Sequence, residues 1–195
     1  MLHQNLKNYN IILASGSPRR QQFFKNLGLD FSIELKPVEE IYPPRLRHFE
    51  ISDYLSQLKA LPFKAHLKPK DILITSDTIV WHNETALGKP RTEAEAFQML
   101  QSLSNTTHEV ITSVCFTTTN YEKTVSSVTK VTFKALTEDE INYYIKTCKP
   151  FDKAGGYGIQ EWIGFIGVTK LEGSYFNVMG LPTDVVYRIL NEIIA

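Results

Sequence analysis

Four apolar residues in a row, Ile11-Ile12-Leu13-Ala14, predict a short buried strand near the N-terminus. Ser15-Gly16-Ser17 breaks the run and Pro18 opens a helix, with Ser17 suited to the N-cap and Pro18 to the first helical position. Phe23, Phe24 and Leu27 form its buried stripe, and Gly28 ends it. A strand is expected around residues 31–35, then a proline-containing loop over residues 37–44 that carries Glu39 and Glu40. Ile51, Tyr54, Leu55 and Leu58 recur at helical spacing, which places Lys59 near the end of that helix, and Pro62 kinks or interrupts the pattern. Ile72-Leu73-Ile74-Thr75 reads as a second buried strand ending at Ser76-Asp77-Thr78. Residues 79–87 form a hairpin turning at Asn83-Glu84, followed by a Gly88-Lys89-Pro90 loop.

The second half continues the alternation. Thr92 and Glu95 have capping-box spacing ahead of a helix carrying Phe97, Leu100 and Leu103. Residues 109–118 and 124–133 read as two strands joined through Asn120. Thr137 and Glu140 repeat the capping box before Ile141, Tyr144 and Ile145. A glycine-rich stretch, residues 154–180, reads as loops and short strands, and Pro182 opens a C-terminal helix bearing Val185, Val186, Ile189, Leu190 and Ile193. Strands and helices alternate without a repeat of solenoid length, so the fold class is α/β.

Composition narrows the function. The chain has 195 residues, 43% of them hydrophobic, which suffices for one sizeable core: a single domain over residues 1–195, in two lobes around a cleft. Lys plus Arg equals Asp plus Glu, 21 each, so the basic excess of a general nucleic-acid or anionic-membrane binder is missing. Any anion site must be a local concentration of cations. Cys115 and Cys148 make neither a disulfide framework nor a metal pattern and read as small core residues. No apolar run approaches the ~20 residues needed to span a bilayer. The polar segment from Met1 to Asn10 lacks a signal-peptide core, so a reducing, cytoplasmic setting is expected.

Three constellations carry candidate chemistry. In Ser15-Gly16-Ser17-Pro18-Arg19-Arg20, unpaired N–H groups at a helix start, two hydroxyls and two guanidinium forks together describe an anion site. Paired arginines oppose the helix dipole there, so helix stability does not account for them. The same residues also describe an ordinary N-cap with two solvated arginines. Asp77 follows a buried strand, where it can hold a divalent metal, orient water, or close an Asx-turn; Lys89 sits in a tight turn, and it and Lys59 are either phosphate partners or solvated. Glu39 or Glu40 beside Asp77 would make a hard-oxygen site for Mg²⁺ or Mn²⁺. Around Tyr157, glycines allow close backbone approach, and the Gln160 amide can read a base edge. The five histidines follow no ligand spacing, and no Ser/His/Asp order stands out.

Taken together, these segments resemble the Maf family of nucleoside-triphosphate pyrophosphatases. The resemblance is carried, in order, by Leu-Ala-Ser-Gly-Ser-Pro-Arg-Arg (13–20), Leu-Lys-Ala (58–60), Ser-Asp-Thr (76–78) and Gly-Lys-Pro (88–90). It continues through Thr-His-Glu-Val-Ile-Thr (107–112), Asp-Lys-Ala-Gly-Gly-Tyr-Gly-Ile-Gln (152–160) and Glu-Gly-Ser-Tyr-Phe-Asn-Val-Met-Gly-Leu-Pro (172–182). It implies two lobes on an extended mixed sheet, inosine-triphosphate-pyrophosphatase-like, with a central cleft. The implied reaction is hydrolysis between the α- and β-phosphates of a nucleoside triphosphate, with a divalent metal cofactor, and the resemblance also suggests a homodimer. Ser15, Arg19, Arg20, Lys59 and Lys89 match phosphate-binding positions, Asp77 the catalytic carboxylate, Glu40 an acidic position near metal or water, and Gln160 a position near the base.

The Tyr-Gly-Ile-Gln and Gly-Ser-Tyr-X-Asn-Val-X-Gly-Leu-Pro blocks resemble the branch that cleaves dTTP and UTP. Where the family usually has Gly after that Gln, Glu161 stands here; its carboxylate either shifts base preference or points outward. Two alternatives remain: a house-cleaning pyrophosphatase for modified nucleotides, and a nucleotide-sensing regulator of septum formation with little catalysis.

Overall fold

The computed structural model describes residues 2–194; Met1, the start of the polar N-terminal segment, and Ala195 lie outside the described residues. Seven strands form one mixed sheet: β1 (Asn10–Leu13), β2 (Ser32–Ile33), β3 (Asp71–His82), β4 (Thr85–Leu87), β5 (Thr107–Thr117), β6 (Glu122–Phe133) and β7 (Val168–Glu172). Their order is β2-β1-β3-β5-β6-β7, with β4 paired to β3. The helices are α1 (Leu2–Asn5), α2 (Pro18–Asn26), α3 (Phe49–Lys64), α4 (Glu93–Leu103), α5 (Glu138–Cys148), α6 (Trp162–Gly167), α7 (Tyr175–Val178) and α8 (Thr183–Ile193). The α/β expectation holds.

Local chemistry explains most element ends. Ser17 caps α2 by accepting from the Arg20 N–H, and Pro18 occupies its first turn. At α5 the capping box is complete: the Thr137 hydroxyl accepts from the Glu140 N–H, and the Glu140 carboxylate accepts from the Thr137 N–H. Only half of it forms at α4, because the Glu95 carboxylate accepts from the Arg91 N–H instead, at 2.7 Å. The β3–β4 hairpin turns at Asn83 and Glu84, both at positive φ, and pairs Val80 with Leu87 and His82 with Thr85. This is the two-residue turn whose twist matches the strands.

Several expectations need correction. Strand β3 does not stop at Ser76-Asp77-Thr78 but runs unbroken for 12 residues, so Asp77 is a mid-strand residue and closes no Asx-turn. Lys59 is not near the end of its helix: α3 continues to Lys64, and Pro62 lies within its last turn without interrupting it. Strand β2 is only two exposed residues. The N-terminal polar segment forms α1 and a 3₁₀ turn, Leu6–Asn8, anchored by buried Leu2 and Leu6. The glycine-rich region holds two helices, α6 and α7, beside one strand.

The chain divides into two compact units. The first takes residues up to Asp77, Thr112–Ser127 and the stretch from Gly180 onward. Its strands β1 and β3 pair in parallel, Asn10 with Asp71 through Leu13 with Ile74. Ile12, Leu73 and Cys115 from the sheet bury against Ala60 and Phe63 of α3. A buried hydrogen bond of 2.7 Å between Ser52 and Ser113 adds a polar tie from helix to sheet.

The second unit takes Thr78–Ile111 and Val128–Met179. Val80, Leu100, Leu103, Val110, Phe133, Ile141, Tyr144, Tyr157 and Ile163 make its core, with α4 packed on α5. Glycines here serve packing inside the protein. A Cβ on Gly155, whose φ is +67°, would stand 2.8 Å from Val80 Cγ2, and one on Gly164 would stand 1.9 Å from the Ile159 carbonyl oxygen. No helix among the described residues is long and apolar enough to cross a membrane. Both cysteines are free, Cys115 buried and Cys148 half-buried.

Candidate active site

The site residues of the first unit gather around strand β3. Side chains alternate along a strand, so Thr75 and Asp77 share one face. That face meets α3, where Ser56 and Lys59 are three residues apart and therefore neighbours on one side of the helix. The Thr75 hydroxyl donates to the Ser56 carbonyl at 2.7 Å, and the Lys59 ammonium donates to Asp77 Oδ1 at 2.6 Å. The same ammonium lies 3.2 Å from Glu40 Oε1, so one lysine draws two carboxylates together. The Asp77 side chain is 9% exposed, Lys59 18% and Glu40 46%. A near-buried aspartate in mid-strand is costly without a partner, and Lys59 supplies it.

The turn before α2 is built as the sequence suggests. Ser15 is buried, and its hydroxyl accepts from the Ser17 N–H at 3.3 Å; its carbonyl accepts from the Gln21 amide at 3.2 Å. Gly16 is exposed and Arg19 half-buried at the helix start.

Arg20 does something the sequence does not disclose. Its Nε donates to the Gly180 carbonyl at 2.8 Å and its Nη1 to the Ser76 carbonyl at 2.9 Å. The guanidinium thus ties α2 to β3, one residue before Asp77, and to the loop ahead of α8. Burial lowers the Arg20 pKa, while Asp77 opposes the fall, Arg19 adds to it and Glu40 opposes it. An arginine remains charged at neutral pH through such a shift. The signal available in the sequence was the paired-arginine conflict with the helix dipole. Nothing in it pointed to two main-chain carbonyls as partners.

Lys89 and Gln160 belong to the second unit. Lys89 is exposed in the irregular segment Gly88-Lys89-Pro90, which is not a turn, and Gln160 is half-buried just before α6. Glu161 does not point outward. It faces Tyr144 and Lys153, neither of which the sequence marked as a site residue. Tyr157 is buried and shares a 2.7 Å hydrogen bond with His108, so that aromatic belongs to the core. Burial, then the neighbouring His82, push His108 down to about 3, leaving it neutral at physiological pH.

For a metal, the hard donors near Lys59 are the Asp77 and Glu40 carboxylates. Among the described residues no group of three or more His, Cys, Asp and Glu side chains is placed to hold an ion. Magnesium is commonly bound through one or two carboxylates plus substrate phosphates. The Asp77 and Glu40 carboxylates, both paired with Lys59, are two hard oxygen donors of the kind such a site uses.

A family model described as Maf-like protein matches residues 10–193. The chain belongs to the Maf family. A Maf relative from Flavobacterium johnsoniae, named dTTP/UTP pyrophosphatase, is 62% identical over 194 residues, covering 100% of both chains. Another of the same name, from Christiangramia forsetii, is 57% identical over 100% of this chain and 99% of its own. Among solved structures, the Staphylococcus aureus Ham1 protein matches with a TM-score of 0.54 at 17% identity, over 94% of this chain and 99% of that one. That likeness is one of fold, and it agrees with the inosine-triphosphate-pyrophosphatase-like architecture expected of a Maf chain.

Proposed function

We propose that this Maf protein hydrolyses dTTP and UTP between the α- and β-phosphates, releasing the nucleoside monophosphate and pyrophosphate. The observation that carries the reading is the near-buried Asp77 in mid-strand, with its carboxylate and that of Glu40 held by one ammonium. Full-length relatives named for dTTP and UTP supply the choice of base.

In the resting arrangement Lys59 neutralises Asp77. An incoming triphosphate offers the ammonium a denser anion, and Lys59 exchanges Asp77 Oδ1 for a phosphate oxygen. The released carboxylate then accepts a hydrogen bond from water and aims the water's lone pair at the α-phosphorus. No covalent enzyme intermediate forms. The Ser15 hydroxyl and the Arg19 guanidinium bind phosphate oxygens, and Arg20 adds charge while holding the backbone beside Asp77. Lys89 binds phosphate as a point charge, and the Gln160 amide reads the base. A divalent cation, Mg²⁺ or Mn²⁺, held by Asp77 and Glu40 with substrate oxygens, would supply Lewis acidity and charge neutralisation. The setting we assign is cytoplasmic, in keeping with two free thiols.

The test is a panel of ordinary and modified nucleoside triphosphates with Mg²⁺, assayed for pyrophosphate release. dTTP and UTP should have the highest kcat/KM. Tight nucleotide binding without turnover would instead mark a sensor, and faster turnover of modified nucleotides a house-cleaning enzyme.

A further inference from the structure

Glu161 directly follows Gln160 and opens α6. Its carboxylate is 22% exposed and meets two buried partners from different parts of the second unit. The Tyr144 hydroxyl donates to Glu161 Oε2. The Lys153 ammonium, on a side chain only 9% exposed, lies 2.9 Å from Glu161 Oε1 and 2.6 Å from Asp152 Oδ1. Tyr144 is fully buried on α5. Its pKa is raised by burial and then by Glu161, which keeps the phenol a proton donor.

The same phenol oxygen accepts from the Gly158 N–H at 3.0 Å. One hydroxyl therefore grips both ends of a four-residue turn, at Gly158 and at Glu161. The Glu161 N–H closes that turn by donating to the Gly158 carbonyl at 3.0 Å. Packing leaves no slack, since a Cβ on Gly158 would stand 3.0 Å from both Glu161 Cδ and Lys153 Cε. Beyond the turn, the Gly164 N–H donates to the Glu161 carbonyl at 2.9 Å and starts α6. The two residues inside are Ile159, which is buried, and Gln160, which is half-buried.

We propose that Glu161 is a positioning residue for base recognition: with Tyr144 and Lys153 it fixes the backbone that presents the Gln160 amide. A solvated loop would have to be ordered when nucleotide binds, whereas here the ordering cost is met during folding. The inference rests on the reading that Gln160 contacts the base.

The experiment compares Glu161→Ala, Glu161→Asp and Gln160→Ala with the parent protein, measuring kcat and KM for dTTP and inhibition by inorganic tripolyphosphate, which has no base. Glu161→Ala should raise KM for dTTP about tenfold, the size of one lost hydrogen bond, with little change in kcat. Its tripolyphosphate inhibition constant should not move, whereas general structural damage would shift both. Glu161→Asp keeps the charge but is one methylene short, and should raise KM in the same direction; it carries the test if Glu161→Ala does not fold. Parent-like KM in the folded Glu161 variants, with KM raised by Gln160→Ala, overturns the positioning role while leaving the base contact standing. Parent-like KM for Gln160→Ala removes the base contact, and the positioning role with it.

Discussion

Replacing Arg20 by Ala separates two roles that its sequence position merges. If Arg20 only gripped phosphate, its loss would leave the nucleotide-free protein as stable as before. The structure instead gives it two charge-assisted hydrogen bonds to main-chain carbonyls, 2.8 Å to Gly180 and 2.9 Å to Ser76. Bonds of this kind contribute about 1.5–3 kcal/mol each. Arg20 is only partly buried, so water can resolvate part of what the substitution exposes. A loss of about 3 kcal/mol is therefore expected, a fall in Tm of roughly 6–12 °C for a chain of this size. The assay is urea unfolding without nucleotide, followed by circular dichroism. Arg20→Lys keeps the charge but loses the fork, and should fall between the two. If Arg20→Ala stays within about 0.5 kcal/mol of the parent, the scale of ordinary surface substitutions, the bracing role is wrong.

Three further outcomes follow from other parts of the molecule. Asp77→Asn should lower kcat by roughly 10²–10⁴-fold while triphosphate binding, read by calorimetry, is retained; near-normal turnover would remove Asp77 from the chemistry. His108, depressed to about 3 when folded, makes stability pH-dependent. The unfolded chain binds the extra proton, so this contribution is intact above the ordinary value of about 6.5, shrinks as pH falls and is fully lost below the folded value. It removes about 2 kcal/mol by pH 5, and His108→Asn should flatten that part of the urea-stability profile. Gly164→Ala would place a methyl 1.9 Å from the Ile159 carbonyl oxygen and should cost more than ~4 kcal/mol, seen as insoluble or unfolded protein.

How much of this was legible in the sequence depends on the range of the forces involved. Caps and turns are local, so the Thr137–Glu140 box, the Ser17–Pro18 helix start and the Asn83–Glu84 hairpin can be read residue by residue. The run of β3 through Ser76-Asp77 could not. Aspartate is disfavoured in strands, and here it is kept by an ammonium 18 positions earlier. Arg20 likewise bonds to carbonyls 56 and 160 positions away, which no spacing rule anticipates. Glycine misled in the other direction. Density of glycine in residues 154–180 suggested loops, yet Gly164 and Gly167 lie within α6, where a Cβ would collide with the Ile159 carbonyl at Gly164 and crowd Leu136 at Gly167. Glu161 was conspicuous as a departure from the Maf pattern, but its inward direction depends on Tyr144 and Lys153, whose burial only the fold reveals.

The central claim is that water is delivered to the α-phosphorus of a pyrimidine nucleoside triphosphate. Turnover of dTTP in water enriched in oxygen-18, with the products separated and weighed by mass spectrometry, tests it most directly. One heavy oxygen per turnover in thymidine monophosphate, with unlabelled pyrophosphate, is the predicted result. Label in pyrophosphate, or products of nucleoside diphosphate and orthophosphate, would contradict it.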